Sequence, residues 1–338
     1  MSTSRPDKAR AERITIIGMN STGMSFGLAL KGAGLTATEI VGADGDRAAL
    51  DRAASLGAVD RTSANLADAL EGAALVIIAE DLSMTRDLLA AIGDALATGA
   101  TVTDTSSPKA ATIEWAETHL PAGVSFVGGH PLGGRPDETS ATAFEGASYA
   151  IVPSKRASKG SIESVASMVE LLGAKPVFMD AAEHDAFAAM TEILPALIGY
   201  AYLANTAGSP PWKDVSRFAG LEWAQIAYSA ADPKDAAVAA AAATDATVNA
   251  INGLIEKLVE IRDLVRSRDE RLSGRLIELW EARARWELGE TSARPAAHES
   301  AGSFSSMILG RRLSERLKQI GNVNRRRKWG YPRKGDKE

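Results

Sequence analysis

The chain has 338 residues, 45% of them hydrophobic and 24% charged, with a formal net charge of -5, four histidines and no cysteine. That length allows two domains with buried cores, and the balance is that of a soluble globular protein. The negative charge argues against a nucleic-acid binder, and without cysteine there is no disulfide, thiolate nucleophile or Cys-ligated metal. The opening MSTSRPDKARAER is polar and basic and lacks the apolar core of a signal peptide, so residues 1–12 read as an extension and a cytoplasmic location is expected.

From residue 13 strands and helices alternate. RITIIG (Arg13 to Gly18) is a β-branched apolar run ending in glycine, which is how a buried parallel strand looks. A helix pattern follows through Phe26, Leu28 and Leu30, and a second apolar run, EIVGAD, ends at Asp44. LVIIA (Leu75 to Ala79) and ATVT (Ala100 to Thr103) repeat the signal, with shorter strands expected at Ser125 to Val127, Ser148 to Val152 and Pro176 to Met179. This order predicts a Rossmann-type α/β domain over residues 13–180, a doubly wound parallel sheet.

Gly18-Met19-Asn20-Ser21-Thr22-Gly23 lies between the first strand and the first helix, where dinucleotide-binding domains keep a G-x-G-x-x-G loop. The helix N-terminus there offers N–H groups to a pyrophosphate. Gly18 and Gly23 keep the outer glycines. Asn20 replaces the middle one: it is the non-glycine residue best suited to left-handed backbone, though its side chain crowds the pyrophosphate. Asp44 is placed to hydrogen-bond a ribose hydroxyl and, with Asp46, to repel a 2′-phosphate, which predicts NAD over NADP.

Beyond Asp180 the pattern is helical to about residue 290. Asp232-Pro233 opens one long helical stretch reaching past Arg266. Its face of Ile251, Leu254, Ile255, Leu258, Ile261 and Val265 reads either as a core stripe or as the interface of a homodimer. The most apolar later segment, around Ala236 to Ala243, is alanine-rich and too short and weakly hydrophobic to span a bilayer, so no membrane is expected. Residues 291–338 form a basic extension, with Arg325, Arg326, Arg327 and Lys328 beside Trp329; it reads as a solvated tail rather than a grip on nucleic acid.

VGGHPLGG (Val127 to Gly134) sets His130 on a glycine-rich loop. Imidazole, with an unperturbed pKa near ~6.5, suits a general base at neutral pH. An ordinary turn histidine is the other reading.

Four stretches, in order, resemble the prephenate and arogenate dehydrogenase family: VTDTSSPK (Val102 to Lys109), GGHPLGG around His130, FEGASYAIVPS from Phe144, and DAAEHDAF from Asp180. The resemblance runs from about Arg13 to the helices before Gly289. It implies a Rossmann-type domain that binds NAD, an all-helical C-terminal domain (181–290) that dimerises, and an active site in the cleft between them. It implies a small carboxylic acid as substrate, which loses hydride to the nicotinamide and CO2 as its ring becomes aromatic. By the same resemblance His130 takes the proton of the ring hydroxyl, Ser107 hydrogen-bonds that hydroxyl or the imidazole, and Asp104 is assigned to the cofactor. No metal is implied. His184 fits the family's Glu-His-Asp and is expected to be a structural residue near a helix start.

The chain also departs from the family. Glu192-Ile193-Leu194-Pro195-Ala196 stands where the family has Ser-His-Leu-Pro-His, and Gln225 where an arginine grips a substrate carboxylate. A neutral amide does not replace that bidentate, charge-assisted contact. Arg135 and Arg217 are the candidates to do so. Three readings stay open: a replacement cation, a different small acid as substrate, or a catalytically silent dinucleotide-binding or regulatory protein on the same scaffold. Retention of Asp104, Ser107, Lys109 and His130 favours an enzyme.

Overall fold

A computed structural model of the chain describes residues 12–35, 37–133, 138–230 and 232–288. Eight strands form one sheet in the order β3-β2-β1-β4-β5-β6-β7-β8. They are β1 (Glu12–Ile17), β2 (Thr38–Ala43), β3 (Arg61–Ser63), β4 (Ala73–Ile78), β5 (Thr101–Asp104), β6 (Ser125–Pro131), β7 (Ser148–Pro153) and β8 (Lys175–Phe178). The expected doubly wound α/β sheet is present, with one departure from an all-parallel pattern: β6 and β7 run antiparallel. Three-residue β3 carries only Arg, Thr and Ser, so no apolar run marked it in the sequence.

Strand alternation divides the apolar side chains between two cores. Ile16, Ile40, Leu75 and Ile77 enter one, covered by α1 (Ser21–Gly32), α2 (Arg47–Ser55) and α6 (Lys159–Leu171). Ile17, Val41, Val76, Ile78 and Val102 enter the other, with residues of α3 (Leu66–Leu70), α4 (Leu82–Ile92) and α5 (Lys109–His119). A sheet buried on both faces explains the continuous β-branched runs.

Among the described residues from 181 onward every regular element is helical: α7 (Ala181–Ala188), a π-helical turn (Ala189–Ile193), α8 (Leu194–Asn205), α9 (Trp212–Val215), α10 (Leu221–Ala227), α11 (Pro233–Ala242), α12 (Thr244–Arg266) and α13 (Arg271–Glu287), besides a 3-10 turn at Ser216–Phe218. Strands and helices belong to one compact unit. The long stretch expected from Asp232 is two helices, because Ala243 leaves helical geometry at φ -120°, ψ 45°. Among the described residues one helical run, Ala181–Asn205, rather than the alanine-rich segment, is long and apolar enough to cross a membrane by length and composition. In this fold it packs on α5, α10 and α12. The residues 291–338, with the basic cluster around Trp329, lie outside the described residues, as does Arg135.

Candidate functional site

The glycine loop turns tightly against the sheet. Gly18 has φ +95°, and a Cβ on Gly23 would lie 1.8 Å from the Gly18 carbonyl oxygen, so no side chain fits at either end. Asn20 does not take the left-handed conformation expected of it: at φ -78°, ψ -173° it is the N-cap of α1. Its Oδ1 accepts from the Thr22 and Gly23 N–H groups at 3.0 and 3.1 Å, and its Nδ2 donates to the Ala79 carbonyl. The Asp44 carboxylate accepts from the Met19 N–H (2.7 Å) and the Asp46 N–H (2.8 Å), tying the end of β2 to the loop. Asp44, Asp46, Arg52, Glu80 and Glu138 line the cleft of about 670 Å³ beside this turn.

A second cavity, of about 270 Å³, opens where β4, β5 and β6 end. His130 lines it, and it stands not on a loop but on β6, paired with Ala150 of β7. The neighbouring glycines serve close packing. A Cβ on Gly129 would lie 2.7 Å from both the Asp104 carbonyl and the Tyr149 hydroxyl, and one on Gly128 would lie 2.9 Å from the Lys109 side chain.

Beneath this strand Asp104 and Lys109 form an ion pair with no exposure, Nζ lying 2.7 Å from both carboxylate oxygens. Asp104 also accepts from Ser106 Oγ and the Gly129 N–H. Burial pushes the Lys109 ammonium below its ordinary value, and Asp104 opposes that. Asp104 is therefore not a surface for cofactor, as its position in VTDTSSPK suggested, but the anchor that holds β5, α5 and β6 together.

The Asp185 carboxylate accepts from the N–H groups of Lys109 (2.6 Å) and Ala110 (2.9 Å) at the start of α5. It also lies 2.8 Å from His184 Nδ1, and His184 Nε2 lies 2.9 Å from His130 Nδ1. A carboxylate only accepts, so His184 carries its proton on Nδ1. When both rings are neutral its Nε2 accepts from His130 Nδ1–H, and Nε2 of His130 is the atom that takes a proton. That atom is 3.3 Å from Glu192 Oε1, an ion pair once His130 is protonated. His184, 2% exposed and expected as a structural residue near a helix start, thus touches both Asp185 and His130.

Ser107 Oγ lines the cavity buried and without a hydrogen-bond partner, so the imidazole is not its partner. From the helical side Glu192, Ile193, Ala196 and Asp235 complete the wall, so the segment Glu192 to Ala196, where the sequence departs from the family, faces His130. Arg217 and Gln225 are exposed and do not line it. Among the described residues no group of ligating side chains suits a metal.

Residues 26–178 match the family model "Prephenate dehydrogenase, nucleotide-binding domain", which begins just past the glycine loop. The chain is 27% identical over 200 residues to a prephenate dehydrogenase of Bacillus subtilis, covering 58% of this chain and 54% of that protein. It is 29% identical over 126 residues to a probable prephenate dehydrogenase of Streptomyces niveus, covering 32% of this chain and 35% of that one. It thus spans about half of the first relative and about a third of the second. Two solved structures share its fold. One is a prephenate dehydrogenase of Aquifex aeolicus in complex with hydroxyphenyl propionate and NAD+ (TM-score 0.72, 23% identity, 81% of this chain and 98% of that one). The other is a Synechocystis arogenate dehydrogenase (TM-score 0.67, 21% identity, 81% and 99%). Over residues 26–178 the chain is thus similar to the nucleotide-binding domain of prephenate dehydrogenases, and it shares the fold of the solved ones.

Proposed function

We propose that the protein is an NAD-dependent oxidoreductase of the prephenate dehydrogenase type, acting on prephenate or a related cyclohexadienyl acid with His130 as the base. The observation that carries this reading is the Asp185–His184–His130 chain, which leaves Nε2 of a buried imidazole as the basic atom beside a cavity. A silent relative would have no need of that arrangement.

The loop and the large cleft suit a dinucleotide. Gly18 and Gly23 let the backbone close up, and Asp44 offers its remaining lone pairs to ribose hydroxyls. Met19, Thr22 and Gly23 spend their N–H groups on Asp44 and Asn20, which leaves those of Asn20 and Ser21 for a pyrophosphate. NAD, when bound, supplies the hydride acceptor. The chain's own part is to orient the acid and take its proton at His130 Nε2, with Ser107 Oγ hydrogen-bonding the ring hydroxyl. In this reading residues 13–180 bind the cofactor, residues 181–290 bind substrate and dimerise, and the protein works in the cytoplasm.

Thermal unfolding with NAD and with NADP tests the cofactor half, since a ligand of the folded state raises the melting temperature. NAD should raise it more, because Asp44, Asp46 and Glu80 oppose an added phosphate. A larger shift with NADP would remove Asp44 from the ribose.

A further inference from the structure

We infer that the Asn20 side chain is an internal stand-in for the pyrophosphate: it holds the N-terminus of α1 in the cofactor-free protein and yields that place when a dinucleotide binds. The inference rests on the proposed function, since it takes the cleft of about 670 Å³ as the dinucleotide site. What Asn20 contests with the cofactor is hydrogen bonds rather than space.

The backbone N–H groups of this turn fall into two sets. Gly18 donates to the Ala43 carbonyl, Met19 to the Asp44 carboxylate and Met24 to the Asn20 carbonyl, bonds that shape the turn and begin the helix. Thr22 and Gly23 instead donate to a side-chain oxygen, Asn20 Oδ1, at 3.0 and 3.1 Å. Asn20 and Ser21 are half-buried and line the cleft, whereas Thr22 and Gly23 are buried and do not. A ligand therefore meets the amide where a glycine at this position would leave two helix N–H groups open.

Of the two competitors, the phosphate is the stronger. The amide oxygen is neutral, and a phosphate oxygen makes charge-assisted bonds that are roughly twice as strong and are favoured by the helix dipole. Asn20 also gives up the bond from Nδ2 to the Ala79 carbonyl at 2.6 Å, which lowers affinity without preventing exchange. Rotation about χ1 takes the half-buried amide to water, where its own hydrogen bonds are remade. A second observation points to a ligand at this turn: Thr22 Oγ1 is buried with no hydrogen-bond partner, a donor that the amide leaves unused.

The test uses the full-length protein as wild type, Asn20→Ala and Asn20→Gly, with NAD and adenosine as calorimetric probes. Alanine removes the amide but keeps Cβ, which separates competition from crowding, and adenosine lacks the pyrophosphate. Asn20→Ala should bind NAD about 3- to 30-fold more tightly than wild type, the scale of one helix cap that no longer has to be broken. Adenosine should bind both proteins alike. In thermal unfolding, cofactor-free Asn20→Ala should melt below wild type, and saturating NAD should narrow the gap because pyrophosphate then caps α1 in both. Asn20→Gly should tighten NAD too, and it carries the test if alanine destabilises the fold, since glycine is the milder loss at a helix cap. A gain for NAD in Asn20→Gly but not in a folded Asn20→Ala would make Cβ the obstacle and overturn the inference. No gain in either variant, or an equal gain for adenosine, overturns it as well. Each of these outcomes leaves the proposed function standing. If neither the wild type nor a folded variant binds NAD, the proposed function falls and the inference falls with it.

Discussion

Asp185 places a proton on the first of two rings joined end to end. Its carboxylate is held by two backbone N–H groups at the start of α5, so His184 donates to it from Nδ1 and, as a neutral ring, accepts from His130. His184→Leu should therefore lower turnover by up to the ~10²–10⁴ that a positioned base contributes, because Nε2 of His130 is no longer fixed as the basic atom. His184→Gln, whose amide both donates and accepts, should recover part of the loss and move the pH profile back toward the wild type. Equal activity in the two variants would make His184 a packing residue only. His130 and Ser107, singled out in the sequence, both line the small cavity. His184 and Asp185 stood in plain view in DAAEHDAF, yet their adjacency to His130 is a contact across 54 residues that no local pattern encodes. Asp104 misled for a similar reason: a carboxylate at a strand end reads as a ligand group until a buried lysine is found bonded to it.

Among the elements, β6 shows how an apparent loop becomes a strand. VGGHP has two glycines and a proline, all depleted from strands, and the expected strand stopped at Val127. Tertiary packing prevails here, since Gly128 and Gly129 are what allow β6 to cross Lys109 and Asp104. Gly129→Ala should cost about 1–3 kcal/mol of stability, as overpacking does. Its Cβ would meet the Asp104 carbonyl and the Tyr149 hydroxyl at 2.7 Å, so the backbone of β5 has to yield. Unchanged denaturant midpoints would show that the contact relaxes freely. The strands of β1, β2, β4 and β5 were legible because both faces of the sheet are buried, and the break at Ala243 was not, because a run of alanines carries no helix-stop signal.

At the scale of the whole molecule, the helical region leaves apolar surface in water. Ile255, Leu258 and Val265 of α12 are 51%, 54% and 57% exposed, and Thr247 is the one buried residue of that helix. Such a face is what a dimer would cover, and the periodicity of the seam was readable while its partner was not. Leu258→Asp should convert a dimer to a monomer in light scattering at micromolar protein, and a monomeric wild type would contradict the dimer. In the proposed function turnover draws on both clefts at once, so the central claim is tested most directly by NADH formation from NAD with prephenate and with arogenate. Wild type should form NADH with at least one of them, faster from acid toward neutral pH because only neutral imidazole takes a proton. His130→Asn should bind NAD as before and lose about 10²–10⁴-fold in rate. A His130→Asn protein that keeps wild-type turnover, or a wild type that binds NAD and oxidises neither acid, would contradict the account.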